Sequence, residues 1–85
     1  MIIRSQDKRS ITDDLNLEIH HESWDSKEWE IGNNAIGVMG TYSTEEKAIK
    51  VLDMIVNTYV ESVWTEGKTI IANRICFEMP QDSEV

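Results

Sequence analysis

The residues best suited to chemistry are two carboxylates and an imidazole that lie two positions apart. Glu18, His20 and Glu22 would share one face of a β-strand, because alternate residues of a strand point the same way. Such a row has donor atoms that suit a divalent metal ion. His21 would point to the opposite face, so a closed site needs another ligand from a neighbouring strand. The candidates for that ligand are Glu28 and Glu30.

The same row is also typical of a solvated polar face, and this is the interpretation we favour. The sequence accordingly predicts no metal and no cofactor, with a small metal-binding protein as an alternative. Cys76, the one cysteine, lies in an apolar run, and no histidine falls in a motif that pairs with it. Since a nucleophile needs a base beside it, we expect no catalytic residue and no enzyme activity.

Alternation of apolar and polar residues predicts the strands that would carry these side chains. The predicted strands are 1–7, 15–22, 28–31, 35–41 and 69–79, with Ile11 and Thr12 completing a small hairpin with the first. Gly37 and Gly40 predict a bulge or a close backbone approach in the strand that contains them.

One long amphipathic helix is predicted over about 43–64. Ser43 followed by Glu46 matches a capping box, in which each side chain satisfies a free amide at the start of a helix. At 100° per residue, the apolar residues of this stretch form one broad face. That face consists of Ala48, Val51, Leu52, Ile55, Val56, Tyr59 and Val63, with Ile49 and Val60 on its flank.

These elements predict an α+β fold with the order β-β-β-β-α-β. We expect a mostly antiparallel sheet of four to five strands with the helix packed on one face. The 85 residues form a single domain over 1–80 in this interpretation, and 81–85 form a flexible acidic tail.

The formal charge of −8, from 16 acidic and 8 basic residues, argues against direct binding of nucleic acid, which needs clustered Lys and Arg. An acidic surface that imitates nucleic acid and inhibits a host nucleic-acid enzyme is an alternative function. No apolar run approaches the roughly 18 residues of a membrane helix, and the start of the chain lacks a signal-peptide pattern. The sequence thus predicts a cytoplasmic protein without membrane contact.

The predicted last strand carries apolar residues on both faces, which indicates either a central position in the sheet or a face that meets another subunit. Two tryptophans flank polar turns and lie either at the edge of the core or at an interface, since aromatic residues are enriched at protein contacts. The predicted interface consists of Trp24, Trp64, Ile70, Ala72 and Arg74. Its partner is expected to be another protein or a second copy of the chain in a homodimer.

Three segments, 1–7, 40–55 and 77–80, resemble small uncharacterised proteins encoded by phages and prophages of Gram-positive bacteria (Firmicutes). The resemblance implies a phage or prophage origin and a place in the cytoplasm of the bacterial host. It implies no activity and no functional residue. Together with the patterns above, it leads us to expect a non-catalytic protein-interaction or self-associating domain.

Leu52→Asp is predicted to unfold the protein, because it places an unpaired charge beneath the helix. Far-ultraviolet circular dichroism of the purified variant is the measurement. A folded and soluble Leu52→Asp protein would show that the helix does not bury this face.

Overall fold

A computed structural model describes residues 1–21, 27–65 and 76–85, and the side chains of 1–21, 27–60 and 76–85. Within these residues the protein is α+β, as predicted, with six strands and one α-helix. In chain order they are β1 (Ile2–Arg4), β2 (Ile11–Thr12), β3 (Glu18–His21), β4 (Trp29–Asn33), β5 (Gly37–Tyr42), α1 (Glu45–Thr65) and β6 (Cys76–Glu78).

The strands form two three-stranded sheets, ordered β2-β1-β6 and β3-β4-β5, so the prediction of one sheet with four to five strands is wrong. The reason lies between β2 and β3. There the N–H of Asp14 donates to Thr12 Oγ1 at 3.0 Å, and the N–H of Asn16 donates to Asp14 Oδ1 at 2.9 Å. Side chains that take backbone amides compete with strand pairing, and β3 consequently begins at Glu18 instead of residue 15.

The second sheet is antiparallel throughout and contains a β-bulge at Met39. Ile31 of β4 lies opposite Gly40 of β5, whereas Gly32 lies opposite Val38. The extra residue, Met39, is turned into the core and is 2% exposed. This confirms the irregularity that the two glycines of β5 predict.

α1 begins after Thr44, whose Oγ1 accepts the N–H of Lys47 at 3.1 Å. Ser43 has a different role from the predicted one. Its N–H and its hydroxyl both donate to Asp82 Oδ1, at 2.8 and 3.1 Å. The predicted capping box of Ser43 and Glu46 is therefore wrong. The Asp82 carboxylate accepts both donors of Ser43, and the residue that caps α1 is Thr44, one position later.

α1 packs on one face of the β3-β4-β5 sheet and contacts all three strands, which agrees with the predicted layer of helix on sheet. Ala48 and Val51 are 0% exposed and Ile55 is 7% exposed. Leu52 is half-buried against the edge of the core. Val51 is accordingly the deeper of the two neighbouring positions.

β6 runs parallel to β1, a connection that needs a long crossover, and α1 lies within that crossover. Of the predicted last strand, 69–79, the part 69–75 lies outside the described residues. In the described part Phe77 is buried and its two neighbours in β6 are exposed, which agrees with the predicted alternation.

Gln6 joins the two sheets. Its side-chain Oε1 accepts the N–H of Thr41 at 2.9 Å, and its Nε2 donates to the carbonyl oxygens of Thr41 and Pro80, each at 3.0 Å. Its backbone N–H donates to the carbonyl of Met39 at 2.7 Å. Tyr42, which is 1% exposed, donates its hydroxyl to the same Pro80 carbonyl at 2.8 Å.

The core is shared by both sheets and the helix, since buried apolar residues from all three contact one another. Its members are Met1, Ile3, Ile31, Met39, Tyr42, Ala48, Val51, Ile55, Phe77 and Met79. The bonds of Gln6 and Tyr42 thus close one side of a common apolar interior.

Residues 81–85, predicted as a flexible acidic tail, form a 3₁₀ turn over Asp82–Glu84. Lys47 Nζ donates to the carbonyl of Asp82 at 3.0 Å, and Val85 packs against the core. The structure differs from a tail because Asp82 is the acceptor for Ser43 at the start of α1.

Gln6→Met is expected to lower the free energy of unfolding by about 1–3 kcal/mol, because it leaves the amide of Thr41 without its acceptor. Tyr42→Phe should cost less, about 0.5–1.5 kcal/mol, since the Pro80 carbonyl keeps the Gln6 donor. Urea denaturation of both variants tests the order. A larger loss for Tyr42→Phe would show that Gln6 does not join the sheets.

The lowered pKa of Asp82 predicts that the protein loses stability in acid. The pKa of the Asp82 carboxyl lies below the usual range, mainly because the backbone N–H of Ser43 donates to it. The Ser43 hydroxyl and the Lys47 ammonium lower this pKa further. A group with a lowered folded pKa stabilises above its unfolded pKa, about 3.9 for Asp, and loses that contribution as the pH falls through the folded value.

Between pH 5 and pH 2 the Tm of the wild type should therefore fall further than that of Asp82→Asn. Asp53→Asn, on the exposed face of α1, is the matched control and should follow the wild type. Parallel curves for Asp82→Asn and the wild type would contradict a role for the Asp82 carboxylate.

Candidate functional site

The described part of the polar row, Glu18 and His20, lies on the outer face of the second sheet. Glu18 and His20 share this face, and Glu18 Oε2 is 3.1 Å from His20 Nε2. His20 lies opposite Glu30 of β4. Both side chains of the pair are about half exposed, at 57% for Glu18 and 47% for His20. An open cleft of about 320 Å³ adjoins His20 and Glu30.

The structure does not assemble the predicted metal set. Glu22 lies outside the described residues, and in the described part of the chain no three His, Cys, Asp or Glu side chains are placed to hold a metal ion. His21 points away from His20, as predicted for adjacent strand residues, and its ring stacks on Trp29 with centroids 3.8 Å apart. The described part of the row is therefore an exposed contact between Glu18 and His20 on a polar sheet face.

The predicted interface lies almost wholly beyond what the structure describes. Trp24, Ile70, Ala72 and Arg74 fall outside the described residues, and for Trp64 only the backbone, within α1, is described. The nearest described position of that strand face is Cys76, which is exposed. The predicted interface thus stays a prediction.

A different surface is brought together on α1. Ile49, Val56 and Val60 are 44%, 58% and 45% exposed. At 100° per residue they lie within an arc of about 40°, turned about 130° from the buried residues of the helix. We call these three residues the α1 stripe. It runs along the helix beside Leu52, which is half-buried.

The sequence prediction is wrong for Val56 and Tyr59, which it placed on the buried face and which are 58% and 41% exposed. The apolar arc of α1 is wider than the surface that β3, β4 and β5 offer, and these strands have only four to six residues each. The sheet covers the residues nearest its centre, such as Val51, and leaves the side of the arc with Val56 in solvent.

A signal for the stripe was present in the sequence. Two stripe residues, Ile49 and Val56, belong to a 3–4 helical spacing that also contains Leu52, Tyr59 and Val63. Val60 lies beside this spacing. Treating the whole apolar arc as one buried face hides this spacing. Two adjoining faces, one for the sheet and one facing outward, account for the exposures.

Residues 56–60 of α1 extend past the core. Ile55 is the last buried residue of the helix among those with described side chains, and from Val56 to Val60 only Thr58 is half-buried. Several of these residues are β-branched, which weakens their intrinsic preference for helix. Because most helical stability in proteins comes from packing, residues 56–60 gain little from the core of the domain.

No protein-family model, curated protein or solved structure matches the chain. Across the described ranges, no helix has the length and apolar character needed to cross a membrane.

Proposed function

We propose that the protein is a non-catalytic protein-interaction domain that associates through the α1 stripe. The observation that carries this proposal is the exposure of Ile49, Val56 and Val60 along one line of the helix. Contiguous exposed apolar side chains are typical of surfaces that bind another protein. Burying them on a partner removes apolar area from water and supports the part of α1 that its own core leaves bare.

Charge on the helix favours the same surface. The chain carries a net charge of −8, yet the three stripe residues are uncharged; Asp53 borders the stripe beside Val60, and Lys50 and Asn57 lie farther round on the polar face of α1. A patch depleted of charge within a charged surface is typical of the centre of a protein interface. A phage or prophage origin is part of the proposal and is supported by the sequence resemblance alone.

Val56→Glu is expected to abolish association without unfolding the domain. A charge in the stripe opposes burial on any partner, while the free energy of unfolding should change by no more than about 0.5 kcal/mol, as at other exposed positions. The matched control is Asn57→Glu, which adds the same charge one residue away on the polar face and should associate like the wild type.

Light scattering and size-exclusion chromatography measure this, on the purified protein and in the extract of the expressing cells. The wild type and Asn57→Glu should run above the 9.8 kDa monomer in at least one of the two samples, and Val56→Glu at the monomer position in both. A wild type that is monomeric in both samples, or a Val56→Glu variant that still associates, contradicts the proposal.

A further inference from the structure

We infer that the α1 stripe binds a basic amphipathic segment of another protein, in which Lys and Arg side chains flank a short row of apolar residues. The inference rests on the proposed function, since it names the chemistry of the partner that the same surface takes. The carboxylates that border the stripe, the charge of the chain and the small apolar area together determine this chemistry.

Three exposed carboxylates border the α1 stripe. At 100° per residue, Glu45 lies about 40° to one side of Ile49. Asp53 and Glu46 lie about 40° and about 60° to its other side. All three are exposed, and none of them forms an ion pair with another residue that the structure describes. The stripe is therefore an apolar row between acidic margins.

The two lysines of α1 do not offset these margins. Lys50 lies about 100° from Ile49 around the helix. Lys47 lies about 160° away, and its ammonium donates to the carbonyl of Asp82 at 3.0 Å. A cation that meets the acidic margins must therefore come from the partner.

Asp53 lies within the length of the stripe. It follows Ile49 by four residues and precedes Val56 by three, which is about 6 Å and about 4.5 Å along the helix axis. A partner that covers these two apolar side chains also removes water from the Asp53 carboxylate, and this is costly unless the charge is paired. A Lys or Arg of the partner supplies that pair, and a second one meets Glu45, about 12 Å from Asp53 along the axis.

The charge of the whole chain favours the same partner. Because the chain carries −8, a second copy brings another Asp53 and another acidic helix start to the contact, where like charges repel. The anionic surface of a membrane is disfavoured for the same reason. A basic segment is instead attracted, and such complementarity raises the association rate and the selectivity more than the affinity.

The area of the stripe limits the strength of the contact. Three partly exposed aliphatic side chains bury on the order of a few hundred Å², below the roughly 800 Å² per partner of a stable interface. An area of this size suits one short segment, such as an amphipathic helix that presents its apolar anchors one turn apart. The expected complex is transient, with a Kd in the micromolar range or weaker.

Fluorescence anisotropy with three labelled synthetic peptides of about four helical turns tests the chemistry of the partner. The basic peptide has Leu at helical 3–4 spacing with Lys on both sides of the Leu row. The acidic peptide has Glu in place of each Lys, and the scrambled peptide has the basic composition without an apolar face. The basic peptide should bind the purified protein at least about tenfold more tightly than either of the others, because only it offers both the apolar row and the cations.

Val56→Glu separates docking on the stripe from general attraction to an acidic protein. The variant is more negative, so attraction by net charge alone would strengthen, whereas docking on the stripe should weaken at least about tenfold. Asp53→Asn combined with Glu45→Gln should weaken binding of the basic peptide at least about threefold. The matched control, Glu18→Gln combined with Glu30→Gln, removes the same charge from the outer sheet face and should change binding less than about twofold. Circular dichroism verifies that each variant is folded.

The inference is overturned if the basic peptide does not bind at millimolar concentration, or binds no better than the acidic or scrambled peptide. Equal binding by Val56→Glu and the wild type, or equal weakening in the two double variants, shows attraction by net charge and also overturns it. Self-association of the purified protein that Val56→Glu abolishes shows a second copy on the stripe, which overturns the inference while the proposed function stands. A protein that associates neither when purified nor in the cell extract refutes the proposed function itself.

Discussion

The structure depends on the side chain of Gln6. Its amide pairs with the backbone N–H and carbonyl of Thr41 and with the carbonyl of Pro80. It therefore bridges β5 and the segment that follows β6 with the same kinds of hydrogen bond that a backbone peptide group makes. A backbone polar group left unpaired at this junction is costly. With these bonds made, Tyr42 and Met79 close over one apolar interior that both sheets and the helix share.

This arrangement also fixes what the helix leaves bare. Because the strands divide into two small sheets, the surface on which α1 packs is only as wide as β3, β4 and β5. Ala48, Val51 and Ile55 are buried on that surface, and Asp82 fixes the start of the helix through Ser43. The stripe residues Ile49, Val56 and Val60 extend along the outside of the helix. The candidate interaction surface is thus a consequence of the sheet division.

Local patterns predicted much of the fold. Alternation located β3 and β4, the glycines of β5 located the bulge, and the helical repeat located α1 to within a few residues. The two-sheet division was beyond such patterns, because it depends on side chains such as Asp14 that take backbone amides. The role of Ser43 was also beyond local patterns, because its acceptor, Asp82, lies 39 residues away in sequence. The exposure of Val56 depends on the width of the β3-β4-β5 sheet, which the sequence does not show. The 3–4 spacing that contains Val56 is visible in the sequence.

The central claim is that the α1 stripe is a docking surface and that the fold does not need it for its own core. Amide NMR spectra of the labelled protein test this most directly, recorded over a dilution series and again with unlabelled extract of the expressing cells, since they report association residue by residue. A docking surface on the stripe predicts shifts centred on Ile49, Val56 and Val60 in at least one of the two series, with unchanged signals on the polar face of Glu18 and His20. Spectra that change in neither series, or changes centred on that polar face, would contradict it.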